Sequence, residues 1–149
     1  MPVTDHQMAT LRSQLTGRID EHRRLLSQMD HAAANRYVSL LIAAFFEAAI
    51  RRFVRDGSPV DDTEIIKFVA SVRNRLADPG DLDAQVALTL IKIAIDKLPV
   101  EAQKGISLDV SNGTRIILLS GMVGALNLSP DQLEEFLNAA RAMTDKAFP

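Results

Sequence analysis

A chain of 149 residues, 47% apolar and 24% charged, is long enough to bury a real core and too hydrophobic for wholesale disorder. A formal net charge of −2 and a pI near 5.9 exclude bulk attraction to nucleic acid or anionic membrane. The absence of cysteine excludes disulfides, thiol catalysis and cysteine-based zinc sites.

Alanine and leucine, both strong helix formers, dominate the apolar content. The N-terminal stretch MPVTDHQMATLRSQL carries no apolar signal core, so a cytoplasmic protein is expected. Thr4 and Gln7 form a capping-box pattern that opens a first helix. Met8, Leu11, Leu15, Ile19, His22, Leu26 and Met29 then recur at spacings of three and four. At about 100° per residue they stay within roughly 40° of one line, a narrow seam closer to a coiled-coil stripe than to a broad core face. Gly17 lies opposite the seam and costs about 1 kcal/mol of helix propensity. Residues 1–30 therefore read as a helical arm that leans on something along one line.

Asp30 can cap a second helix over 31–56, although no Gly or Pro rules out one bent helix across 5–56. Within it, LLIAAFFEAAIRRF (40–53) places Glu47 among apolar residues. Arg36, Ala43, Glu47 and Arg51 share one line within about 40°, so Glu47 belongs to a thin solvent stripe and precedes Arg51 in the favourable order for an ion pair. Leu40 lies about 20° from that stripe and is expected at a contact surface that continues the seam. DGSP (56–59) ends the helix.

Asp61 and Glu64 form the next capping-box pattern, and Ile65, Ile66, Val69, Val72 and Leu76 give a third amphipathic helix. Asp81 is expected to cap a fourth, over 82–98, whose polar stripe is only Gln85, Thr89, Lys92 and Asp96. The stretch 106–121 has two readings. Ile106, Leu108 and Val110 before Asn112-Gly113 suggest a hairpin. A loop followed by a helix over 114–127 agrees better with the helical surroundings, and Ser120, Gly121 and Gly124 would then admit a close neighbour. Ser129, Pro130 and Gln132 open a final helix with the apolar face Leu133, Phe136, Leu137, Ala140, Met143 and Ala147.

The segments AAFFEAAIRRF (43–53), EIIKFVASVRNRL (64–76), RIILLSGMVGAL (115–126) and SPDQLEEFLNAARAM (129–143) resemble a group of uncharacterised all-helical proteins from actinobacteria. The resemblance covers roughly two-thirds of the chain and rests on packing patterns. It implies a bacterial cytoplasmic helical protein and a helix over 114–127, and it carries no activity or site.

Few motifs with chemistry survive. A membrane span is not expected, because the uncharged run before Glu47 is too short for the roughly 20 residues needed. No phosphate-binding glycine loop occurs. SGMVG (120–124) lacks the glycine that a nucleophile elbow needs two places before its serine. His6, His22 and His31 lack the i, i+4 spacing of a helical metal pair, and no E-x-x-H motif supports a di-iron site. His22, inside the seam, reads either as a half-buried histidine satisfied locally or as a register-setting, pH-sensitive position. Asp78, Asp81 and Asp83 fall short of a calcium loop, since Thr89 stands where its glutamate belongs. A DNA-reading helix 82–98 would present one cation and one anion.

These features predict an all-α bundle of about five to six helices, with an arm over 1–30 and a compact bundle over 31–149. The first functional reading is a non-enzymatic interaction or regulatory module, homodimeric through the arm, with no catalytic residue, metal or cofactor. The alternative is a helical domain holding a small apolar ligand between helices, with 120–124 lining the gap. A DNA-binding regulator is third, its basic patch drawn from Arg51, Arg52, Arg55, Lys67, Arg73 and Arg75.

Overall fold

A computed structural model describes residues 1–149, and the chain is all-helical apart from one two-residue hairpin. The helices are α1 (Asp5–Leu15), α2 (Ile19–Ser27), α3 (His31–Phe53), α4 (Asp62–Arg75), α5 (Ala84–Ala94), α6 (Leu108–Leu126) and α7 (Pro130–Ala147). Strands β1 (Val54–Arg55) and β2 (Ser58–Pro59) pair antiparallel, and short 3-10 turns occupy Pro79–Asp81 and Val100–Gln103. Two compact units result: Met1–Glu47 with Asn127–Pro149, and Ala48–Leu126. The division expected near residue 30 does not coincide with this one, because 1–30 belong to the same unit as 31–47.

In the first unit, the expected capping box forms: Thr4 accepts from the Gln7 amide at 3.2 Å, and Gln7 Oε1 accepts from the Thr4 amide at 2.9 Å. The helix then stops at Leu15. Residues 5–56 are neither one helix nor two, because Gly17 takes φ +74° and closes α1. The Arg18 amide reaches back to Ser13 O at 2.9 Å and the Gly17 amide to Gln14 O at 3.2 Å, the paired bonds of a Schellman ending. Glycine enters this left-handed region without the steric penalty of a Cβ, so its role is to end a helix rather than to weaken one. Asp30 Oδ1 accepts from the Ala33 amide at 2.8 Å and starts α3 as expected. Ser129 and Gln132 form the second capping box at the start of α7.

Helix α3 bears on the length argument against a membrane span. It is 23 residues long and holds an 18-residue window of mean hydropathy 1.3, the length and composition of a membrane-crossing helix, with 44% of that window buried inside the protein. Its buried residues reach around much of the axis: Leu40, Ala43, Ala44, Phe45, Ala49 and Phe53 are all buried. Leu40, expected at a contact surface, is 0% exposed. Glu47 and Arg51 are half-buried, and neither lacks a partner.

The second unit opens on the hairpin. Asp56 (φ 52°) and Gly57 (φ 77°) both take positive φ, the geometry a two-residue turn between twisted strands requires. Phe53 and Phe68 meet edge to face at 5.2 Å, and the Arg52 guanidinium lies 4.9 Å over the Phe53 ring. Asp61 caps α4, but the expected box does not close: Glu64 turns instead to Arg52 and Arg55. The cap of α5 is Asp83, not Asp81, since Asp83 Oδ1 accepts from both Gln85 and Val86 amides while Asp81 lies in the preceding 3-10 turn. That helix ends at Ala94, short of 98, in another Schellman pattern with Asp96 at φ 63°. No hairpin forms at 106–121. Helix α6 starts at Leu108, six residues before the expected 114, and Asn112-Gly113 lies inside it. Helix α6 packs closely on α4 at Gly121, where a Cβ would meet Val72 Cγ2 at 2.9 Å.

Candidate functional site: the outer face of helix α2

The Schellman ending at Gly17 folds α2 back beside α1. No side chain caps α2, whose N-cap is Arg18, so contacts to α1 must hold it. Two histidines supply them. His22 Nδ1 lies 2.9 Å from Thr10 O, and His6 Nε2 lies 2.9 Å from Leu25 O. A carbonyl only accepts, so each of these ring nitrogens carries its proton and donates. His22 is thus satisfied locally by backbone, and its ring stands 6.4 Å from that of Tyr37. Tyr37 is 4% exposed, and burial pushes its phenol up.

Helix α1 is in turn tied to α7. Arg12 meets Glu134 through two bonds of 2.7 Å, and the Arg12 guanidinium holds that carboxyl below its ordinary range. Arg141 reaches Asp5 at 3.0 Å and Val3 O at 2.7 Å. Asp145 accepts from the Val3 amide at 2.8 Å and from Arg36 at 3.2 Å. None of these pairs was visible in the sequence, because each joins residues more than 100 positions apart.

The turn at Gly17 divides the seam. Met8, Leu11 and Leu40 are buried in the core. Leu15, His22 and Met29 are half-buried. Ile19 (47% exposed) and Leu26 (38%) remain on the surface. A continuous line from Met8 to Met29 does not exist, since its two halves lie on separate helices. What survives is a patch on α2: Ile19, Leu26 and Arg23 fall within about 60° on its outer side, with the two apolar residues about 10 Å apart. Asp20 flanks the patch on the Arg23 side, while Glu21 and Arg24 pair with each other at 2.8 Å.

Other sequence candidates take structural roles. In the second unit Arg52 and Arg55 pair with Glu64, Lys92 and Lys97 pair with Asp62, and Arg73 and Arg75 bond Pro79 O and Ser71. These partners occupy most of the basic patch that a phosphate backbone would need free. Asp78 accepts from the Gly80 amide as a turn residue, and no group of three or more His, Asp or Glu side chains is placed to hold a metal ion. Ser120 lies inside α6 with no strand before it, so no nucleophile elbow forms. Gly121 closes on Val72 and leaves no gap for a ligand at that position. A cleft of about 500 Å³ opens instead in the first unit, where Thr4, Gln7, Asn35, Arg36 and Ser39 bring polar groups to its wall.

Compared with known proteins, the chain matches no family model, no curated protein and no solved structure.

Proposed function

We propose that this protein is a non-enzymatic interaction module that pairs with a second copy of itself through the outer face of α2. The observation that carries the reading is the pair Ile19 and Leu26, left exposed on one side of a helix whose inner side is fixed to α1. A twofold contact must be self-complementary. Laying two copies of α2 antiparallel brings Ile19 of one copy towards Leu26 of the other, and sets Asp20 of each near Arg23 of its mate. The same flank thus carries both signs of charge, as such pairing requires. The patch is small, so the dimer belongs to the weak, transient class. In this reading α3 is a core helix, supported by the burial of Leu40, Ala43, Phe45, Ala49 and Phe53 around much of its axis.

Sedimentation velocity across a concentration series up to about 1 mM spans the affinities expected of so small a contact. Dimer formation by the native chain and its loss in Ile19→Glu/Leu26→Glu, with unchanged helical circular dichroism, supports the reading. A native chain that stays monomeric over the whole range refutes it.

A second reading rests on the cleft of about 500 Å³, a volume within the range of small-molecule sites. Its Arg36 guanidinium lies on one wall and is already paired with Asp145. A ligand copurifying in native mass spectrometry, and lost on Arg36→Ala, would favour it over self-association.

A further inference from the structure

Helix α6 carries a buried cation that nothing in the protein neutralises. Arg115 is 8% exposed and makes no ion pair. Its guanidinium donates to two neutral amide oxygens, Asn112 Oδ1 at 3.2 Å and Gln103 Oε1 at 3.1 Å. Arg12, Arg36, Arg52, Arg55 and Arg141, by contrast, each pair with a carboxylate. Burial alone holds Arg115 below the ordinary guanidinium range, with no opposing charge to raise it. Arginine does not shed its proton in proteins, so the charge stays, partly withdrawn from water and without an ion pair.

That arrangement is unfavourable for folding taken alone. Replacing a buried charge by an apolar side chain of similar volume is often neutral or stabilising. Asn112 and Gln103 fix the plane of the guanidinium while using only two of its five N–H donors. Ser111 lies one turn earlier, about 40° away around α6, and is 4% exposed. A rigid fork with unused donors, beside a serine hydroxyl, is a donor set that suits an oxyanion.

We propose that Arg115, held by Asn112 and Gln103 and assisted by Ser111, is a binding site for a small oxyanion, a phosphate or carboxylate group. The anion supplies the missing counter-charge. The amide acceptors leave the guanidinium's net charge intact, whereas a carboxylate in their place would cancel it.

The test follows the arginine Nε–Hε signals of the full chain by NMR, with inorganic phosphate and acetate as separate probes and chloride matching the ionic strength. The Arg115 signal should move saturably with at least one probe, and which probe does so distinguishes the two sources. At a probe concentration of about 100 times the dissociation constant, the folded-to-unfolded ratio should rise about 100-fold. Arg115→Met should lose that response and be at least as stable as the native chain in anion-free buffer. Arg115→Lys keeps the charge without the fork and should bind at least about tenfold more weakly. The proposal is overturned if neither probe moves the Arg115 signal saturably, or if Arg115→Met responds equally. It is also overturned if Arg115→Met fails to fold or loses stability without anion, because the arginine would then be serving the fold.

Discussion

Replacing Gly17 by alanine distinguishes a broken α1–α2 from a continuous helix by the sign of its effect. In a continuous helix the change would gain about 1 kcal/mol of propensity. In this structure Gly17 sits at φ +74°, where an L-residue is disfavoured by about 1–2 kcal/mol. A Cβ there would meet nothing within 4 Å, so no clash adds to that cost and no packing offsets it. Alanine also restricts the unfolded chain, which returns about 0.5 kcal/mol. The expected outcome is a loss of about 1 kcal/mol, seen in urea unfolding as a lower midpoint at unchanged slope and in melting as a drop of about 2–4 °C. Stabilisation by a similar amount would mean that α1 and α2 form one helix. It would also restore the unbroken seam and remove the basis for assigning the contact to α2 alone.

Three further predictions concern the fold that carries the two sites. Asp83→Ala should cost about 1 kcal/mol as the loss of an N-cap, whereas Asp81→Ala should change stability by less than about 0.5 kcal/mol, both read from urea midpoints. Gly121→Ala gains helix propensity but forces a stiff, buried Val72 to move, giving a net loss of about 1 kcal/mol that disappears in a Val72→Ala background. Asp62 is held below the ordinary carboxylate range by Lys97 and then Lys92, Glu64 by Arg55 and then Arg52, and Glu134 by Arg12. Their folded-state values lie below their unfolded ones, so their stabilisation is complete above the unfolded values and is lost as pH falls through the folded ones. Melting temperature should therefore drop on acidification through that window, and less steeply at high salt because all three side chains reach solvent.

The parts of the fold legible in the sequence were those fixed by neighbours in the chain. Thr4 with Gln7 and Ser129 with Gln132 bond within one turn, so spacing alone identifies them. Gly17 is visible in the sequence as a propensity cost, whereas its left-handed conformation, set by the Schellman bonds, leaves no mark in the apolar periodicity. Leu40 reads as a surface residue from sequence because one polar stripe suggests the exposed side of α3. The helix is instead buried around much of its circumference, and tertiary packing decided. Asn112-Gly113 carried a strong local turn signal, yet both residues lie within the 19-residue helix α6. The candidate sites were half legible. Ile19 and Leu26 were named as seam residues, and only the fold showed that Met8 and Leu11 are spent on the core. Arg115 gave no signal, because burial of a charge beside neutral amides depends on residues that sequence spacing does not bring together.

Self-association through α2 can be tested directly because the chain has no cysteine of its own. In an antiparallel pair centred between Ile19 and Leu26, residue 23 lies next to the twofold axis. Arg23→Cys should therefore form a disulfide-linked dimer under mild oxidation at concentrations where the native chain associates. Asn138→Cys, exposed on α7, should remain monomeric under the same conditions. Equal crosslinking at both positions, or none at position 23, would contradict the assignment of the contact to helix α2.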